Sequence, residues 1–184
     1  MKSILVTFLF ISSSLFAQEF NKVVELDNGK KIMVGKINLE GLQSEPYASW
    51  FNTNYKNYVV DKSMVKMFKK QLKKHRIKLF LGTWCGDSKR EVPRMLKILN
   101  EAKFPMDQLE IVALDRRKEH YKKSPTGEEK GLNIIKVPTM IFFKKEQEVN
   151  RIVESPLESL EEDMAQILSD EPYTPNYATI SKAK

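Results

Sequence analysis

Apolar residues in the second half of the chain follow two patterns, the spacing of an amphipathic helix and the short continuous run of a buried strand. Between residues 61 and 170 these patterns alternate, and they end with two strands and a helix. The order predicts an α/β domain with a central sheet flanked by helices. The strands are predicted at 77–81, 109–114, 137–143 and 148–153, the last two as a hairpin.

Three longer helices are predicted in this region. Asp61 is expected to cap the first, and the second begins in the turn after residue 85. The third is expected to begin at the capping box 155–158, with Pro156 as its first helical residue, and to end near Asp170. Their apolar faces consist of Met64, Val65, Phe68 and Leu72, then Val92, Met95, Leu96 and Leu99, then Leu157, Leu160, Met164, Ile167 and Leu168.

The segments on either side of this domain have weaker patterns. Two short apolar runs flank Asn28-Gly29, which is the typical sequence of a tight β-hairpin turn. Residues 41–58 are polar and aromatic, and we interpret them as an irregular connector whose aromatic rings pack on the main domain. Two prolines and no apolar period after Glu171 predict a loose tail. The predicted organisation is therefore 1–17 signal peptide, 18–58 hairpin and connector, 59–170 main domain and 171–184 flexible tail.

The first 17 residues resemble a secretory signal. Lys2 is followed by an apolar run from Ile4 to Phe16, and Ala17 provides a small residue for cleavage before Gln18. The run is shorter than the roughly 20 residues that a membrane-spanning helix needs. We therefore expect a mature protein that is periplasmic or secreted and not stably inserted in a membrane.

Composition and charge narrow the classes of function. The chain has 184 residues, of which 41% are apolar, so it can bury the core of one ordinary domain. The net charge is +7, and the basic residues cluster at 66–76, opposite an apolar helix face. A solvated helix surface explains this cluster, so no nucleic-acid partner is expected. Two histidines are too few to suggest a metal site, and no metal or cofactor is expected.

Cys85 is the only cysteine in the sequence. Exported cysteines usually pair, so an unpaired one is a candidate reactive thiol, with a buried structural thiol as the alternative. Its neighbours favour reactivity: Trp84 precedes it, and the start of a helix stabilises a thiolate through free N–H groups and the helix dipole. Lys89 and Arg90 add positive charge whereas Asp87 opposes them, so we expect only moderate activation.

Three motifs, in order, resemble the thioredoxin-like family. Trp84-Cys85-Gly86 matches the start of the family's Trp-Cys-Gly-Pro-Cys turn, and Pro93 falls where the family has a proline that bends the helix. Val137-Pro138-Thr139 matches the cis-proline loop beside the reactive sulfur. The resemblance covers about residues 61–170 and implies a thioredoxin-like fold, here with an N-terminal β-hairpin extension. It implies catalytic roles for Cys85, Ser88, Trp84 and Pro138, and substrate contacts for Gly86, Asp87, Val137 and Thr139.

Two positions depart from the family pattern in a consistent way. Ser88 stands where the family has its second, resolving cysteine, and Leu79 stands where it has a buried acid that serves that cysteine. Ser88 can donate a hydrogen bond to the sulfur but cannot form a disulfide. A mixed disulfide on Cys85 must then be broken by the substrate's own thiol or by an external thiol.

The sequence therefore predicts a monomeric, exported monothiol exchange protein, isomerase- or reductase-like, that acts on protein or small-molecule disulfides. A redox-inactive thioredoxin-fold binding or chaperone-like module is the alternative. The turn is also similar to the Cys-Gly-x-Ser turn of monothiol glutaredoxins, which can hold an iron–sulfur cluster, but Trp84 and the signal argue against that. The charged segment 115–118 fits either an anionic partner or simple solvation.

Overall fold

The computed structural model describes residues 19–169 and 171–181, so the predicted signal at 1–17 lies outside the described residues. Six strands form one mixed sheet in the order β1-β2-β4-β3-β5-β6. The β3–β4 pair is parallel, and the other neighbouring pairs are antiparallel. The strands are β1 (Lys22–Glu25), β2 (Lys31–Ile37), β3 (Arg76–Leu81), β4 (Leu109–Ala113), β5 (Thr139–Lys144) and β6 (Gln147–Val153).

Helices pack against one face of this sheet. Alternate residues of β3, among them Leu79, share one large core with apolar residues of α2 to α5. On the other face of the sheet, Phe80 of β3 belongs to a smaller apolar cluster, against which Leu132, Ile134 and Val137 pack. The helices are α1 (Leu39–Leu42), α2 (Ala48–Asn57), α3 (Lys62–Leu72), α4 (Gly86–Glu101), α5 (Leu160–Leu168) and α6 (Ala178–Ser181).

The N-terminal hairpin is present as predicted and is part of the central sheet. The turn closes between Leu26 and Lys30, and Gly29 adopts a φ of 73°, which residues with a side chain rarely do. β2 is longer than the predicted run and pairs with β4 from Gly35 to Ile37. The hairpin thus extends the sheet beyond β4 rather than standing apart from it.

The segment predicted to be an irregular connector contains a helix, which corrects that interpretation. α2 buries Phe51 in the main core, and the Tyr55 ring stacks on Phe51 with 5.8 Å between the ring centroids. The expected packing of aromatic rings on the domain therefore occurs, but from a helix. The polar residues between the rings, including Asn52 and Asn54, concealed the helical period because asparagine is a weak helix former.

The α3 cap is confirmed, whereas the predicted start of α5 is wrong. Asp61 accepts hydrogen bonds from the N–H groups of Ser63 and Met64, at 2.9 and 3.0 Å. α5 begins four residues later than predicted, at a second Ser-x-x-Glu box in which Ser159 accepts from Glu162 N–H at 3.1 Å. The predicted box fails because Asp163 accepts from backbone N–H groups of that segment and holds it as a turn, which leaves Leu157 48% exposed.

The tail that was expected to be loose contacts the domain over the described residues 171–181. Tyr173 is buried, and its hydroxyl donates to the Asp163 carboxylate at 2.7 Å. Asn176 Nδ2 donates to Ser155 O at 2.9 Å, and the Tyr177 hydroxyl donates to Glu154. This segment has no apolar period in its sequence, but polar side-chain contacts hold it against the domain. Within the described residues, no helix is both long enough and apolar enough to cross a bilayer.

An ion triad on the face opposite the helices makes part of the fold stability dependent on pH. Glu110 of β4 lies 2.9 Å from Lys36 Nζ and 3.3 Å from Lys78 Nζ. Burial alone would raise the pKa of Glu110, but the two ammonium groups outweigh it and hold the pKa below its usual value. Because the folded-state pKa is depressed, this stabilisation is present above the unfolded-state pKa and is lost as the pH falls through the folded-state pKa.

We expect Glu110→Gln to lower the free energy of unfolding by about 1 kcal/mol at pH 7 and by much less at about pH 3. Urea unfolding curves of both proteins across this range measure the difference. A difference that stays constant with pH would show that the carboxylate charge is not the stabilising feature.

Candidate active site

Cys85 lies at the start of α4, as predicted. β3 ends at Leu81, the chain turns, and Cys85 is the N-cap residue of α4 with an extended backbone (φ −90°, ψ 131°). The sulfur is half-buried and donates to the Val137 carbonyl at a distance of 3.3 Å. The first N–H groups of α4 have no partner within the helix, so the sulfur lies beside the positive end of the helix dipole.

Trp84 is held in place by three contacts beside the sulfur. Its indole Nε1 donates to Leu114 O at 2.8 Å, its ring lies 5.9 Å from the Tyr121 ring, and the Arg116 guanidinium lies 5.8 Å from its centroid. Any side chain at Gly82 would place its Cβ 2.6 Å from the indole. Glycine at position 82 is therefore what allows the ring to lie against the turn.

Ser88 has a different role from the one predicted. It is fully buried, and in the described part of the chain its hydroxyl oxygen accepts from Gly82 N–H at 3.1 Å instead of bonding to the sulfur. Side chains in a helix tilt toward its N-terminus, which directs the hydroxyl back to the end of β3. Ser88 thus fixes the turn that carries Cys85.

The segment 135–138 lies against the sulfur from the other side. The Val137–Pro138 peptide bond is cis, and the Val137 carbonyl is the group that the thiol contacts. Thr139 is 1% exposed, and its hydroxyl donates to Lys136 O at 2.7 Å. The Thr139 side chain is therefore buried in an internal hydrogen bond and is not accessible to a substrate. Gly86, in contrast, is exposed.

The first turns of α4 carry a small charge network. Arg90 contacts Asp87 at 2.9 Å and Glu91 at 2.5 Å, and the Glu91 interactions contribute most to raising the pKa of Arg90. Asp87 is therefore partly neutralised, and its opposition to a thiolate is weaker than the sequence suggests. Glu91 is 3% exposed, and its Oε2 has no hydrogen-bond partner among the described residues.

Lys122 is a residue near the sulfur that the sequence did not single out. It comes from the loop after β4, is half-buried, and donates through Nζ to the Ile135 carbonyl. Burial and the charge of Lys136 lower the pKa of Lys122, whereas the charges of Cys85 and Glu154 oppose this. The only signal in the sequence was the unusual density of basic residues at 116–123.

Leu79, which stands where the family has a buried acid, lies in entirely apolar surroundings. Leu79 is fully buried in the main core, where a carboxylate would have to be desolvated. Among the residues that the structure describes, no three His, Cys, Asp or Glu side chains are grouped as they would be around a metal ion.

Comparison with known proteins identifies the family. The model of the family described as "Thioredoxin" matches residues 43–167, which is more than half of the chain. The chain belongs to this thioredoxin family, and its fold supports a role in thiol–disulfide exchange at the general level. No curated protein matches the chain.

Two solved structures are similar to it at low identity. One is a protein of unknown function from Pseudomonas aeruginosa, with 12% identity, a TM-score of 0.40, and coverage of 67% of this chain and 77% of that one. The other is thioredoxin f2 from Chlamydomonas reinhardtii, with 18% identity, a TM-score of 0.35, and coverage of 62% and 96%. The family assignment rests on the family model.

Proposed function

We propose that this protein is an exported monothiol exchange protein that acts through Cys85. The observation that supports the proposal best is the position of the sulfur, at the N-terminus of α4 and 3.3 Å from the Val137 carbonyl. A thiol there is partly accessible and lies at the positive end of the helix dipole, and the thiolate is the nucleophile in disulfide exchange.

The proposed reaction conserves the number of disulfides. The Cys85 thiolate attacks one sulfur of a substrate disulfide, the substrate S–S bond breaks, and a new S–S bond forms between Cys85 and the substrate. The other substrate sulfur leaves as a thiolate and takes a proton from water. A second thiol, from the same substrate or from solution, then attacks the mixed disulfide and releases Cys85.

The identity of that second thiol decides the outcome. Attack by a thiol of the same substrate rearranges its disulfides, which is isomerisation, whereas attack by an external thiol completes a reduction. Ser88 takes no part in breaking the mixed disulfide, because serine has no sulfur and its hydroxyl is buried against Gly82 N–H. We propose that the protein performs both reactions as a monomer.

Trapping of mixed disulfides tests this function. Purified protein is incubated with a disulfide-linked peptide dimer, the reaction is stopped with an alkylating agent, and adducts are measured by mass spectrometry. We expect one peptide adduct on wild-type protein, none on Cys85→Ser, and an adduct on Ser88→Ala, the matched control that keeps the sulfur. A wild-type protein that forms no adduct would contradict exchange and favour the redox-inactive binding module.

Export is a separate part of the proposal, with its own measurement. We expect amino-terminal sequencing of protein recovered from outside the cytoplasm to begin at or near Gln18, because Ala17 provides the small residue before the cleavage point. An intact Met1 on that material would contradict cleavage of a signal.

A further inference from the structure

A basic loop borders the reactive sulfur. Residues 116–123 follow β4, and all of them except Lys122 are exposed. The loop contains Lys and Arg at most positions and Glu119 as its one acid. It is held against the site through Trp84, which contacts both the Tyr121 ring and the Arg116 guanidinium.

Three acidic side chains around the site are already paired. Asp87 contacts Arg90 at 2.9 Å, and Asp115 contacts Arg117 at 2.6 Å. Glu154 accepts hydrogen bonds from Lys136 and from the Tyr177 hydroxyl. Each of these carboxylates therefore has an ion-pair partner of its own, although the charge of Glu154 also acts on Lys122.

Two cations of the basic loop form no such ion pair with any described residue. In the part of the chain that the structure describes, neither Arg116 nor Lys122 forms an ion pair with a carboxylate; Arg116 lies over Trp84, and Lys122 binds the Ile135 carbonyl. Cys85 binds the Val137 carbonyl, two residues further along the same segment. One short stretch of backbone, from Ile135 to Val137, thus binds both the Lys122 ammonium and the Cys85 thiol and holds them on the same side of the site.

We propose that Arg116 and Lys122 select peptide disulfides whose cysteine is flanked by acidic residues. This inference rests on the proposed exchange function and names its substrate class. An acidic peptide that places its sulfur on Cys85 brings its carboxylates within reach of two cations that form no ion pair with a carboxylate among the described residues. A peptide with lysines at the same positions is repelled by these cations. The repulsion slows the association of the peptide with the protein more than it changes the rate of the exchange step itself.

The test compares three disulfide-linked peptide dimers of equal length, in which the cysteine is flanked by Glu, Gln or Lys. The rate of adduct formation with Cys85 is measured for each, and it is divided by the rate of the same dimer with 2-mercaptoethanol. This normalisation removes the intrinsic reactivity of each peptide. The ratio of the Glu to the Lys rate also cancels any change that a substitution causes in the reactivity of the sulfur itself.

We expect the Glu dimer to react about tenfold faster than the Lys dimer at about 10 mM salt, and the ratio to fall toward one at about 0.5 M salt. The double variant Arg116→Gln with Lys122→Gln should lower the low-salt ratio to about two or less. Lys144→Gln, at the far end of β5 from Pro138, removes the same type of charge elsewhere and should leave the ratio unchanged.

The outcomes separate this inference from the function on which it rests. Equal normalised rates for the three dimers, or a ratio that the double variant does not alter, would overturn the charge selection while leaving exchange intact. If no dimer forms an adduct with wild-type protein, the exchange function itself fails, and the charge selection fails with it.

Discussion

Replacing Ser88 with cysteine is expected to convert a site that needs a second thiol from outside the protein to break its mixed disulfide into one that breaks it with its own second sulfur. The new sulfur lies one helical turn after Cys85, at the spacing of a C-x-x-C motif. It can attack the mixed disulfide from inside the protein, which releases the reduced substrate and leaves a disulfide between Cys85 and the introduced cysteine that an external dithiol reduces. We expect multiple-turnover reduction of a protein disulfide to increase by about tenfold or more.

The gain is measured as insulin reduction with excess dithiothreitol, after subtraction of the uncatalysed rate. Ser88→Ala is the matched control because it removes the same hydrogen bond to Gly82 N–H without adding a sulfur. Both variants should lose about 1 kcal/mol of stability, but only the cysteine variant should turn over faster. Equal rates for the two variants would show that the introduced sulfur does not attack the mixed disulfide on Cys85.

The neighbours of the new sulfur limit how far this gain can go. Leu79 is fully buried in the core and offers no acid to take up the proton of a second thiol. Asp87 disfavours a second thiolate, although Arg90 at 2.9 Å reduces that effect. The increase should therefore fall below the rates of two-sulfur sites that have both groups.

The sequence predicted the elements whose signals are local. β3 is a continuous apolar run, and α4 has apolar residues at helical spacing. The Asp61 cap depends only on the residues of its own helix, and Asn28-Gly29 determines the hairpin turn by itself. α2 escaped prediction because its buried face is small and most of its other residues are weak helix formers. The start of α5 could not be chosen from the sequence because two Ser-x-x-Glu boxes stand four residues apart, and Asp163 decides between them.

The residues of the candidate site also separate into those that short motifs predicted and those that only the three-dimensional structure shows. Cys85, Trp84 and Val137 were predicted because they lie in short motifs, and the structure brings all three into one apolar cluster. Lys122 was missed because its place near the sulfur depends on how a loop with no regular period folds back over the sheet. The hydrogen bond of Ser88 was predicted with the wrong partner, since the direction of its hydroxyl depends on the exact start of α4.

Replacing Asp163 with alanine is expected to lower the free energy of unfolding by about 3 kcal/mol. Asp163 is fully buried and accepts from three donors: Leu157 N–H at 2.9 Å, Glu158 N–H at 3.4 Å and the Tyr173 hydroxyl at 2.7 Å. Alanine leaves all three without this partner and opens a small cavity. Because the same carboxylate holds the turn before α5 and the C-terminal segment, we expect both to loosen together.

Urea unfolding measures the loss of stability, and limited proteolysis within residues 171–177 measures the release of the tail. Tyr173→Phe is the matched control because it removes one donor and keeps the carboxylate with its two backbone contacts, so it should cost only about 1 kcal/mol. Combining the two changes should cost less than the sum of the single effects, since the Tyr173 hydroxyl and Asp163 act as a pair. Strict additivity, or a tail that resists protease in Asp163→Ala, would mean that the tail is held by its other contacts, those of Asn176 and Tyr177.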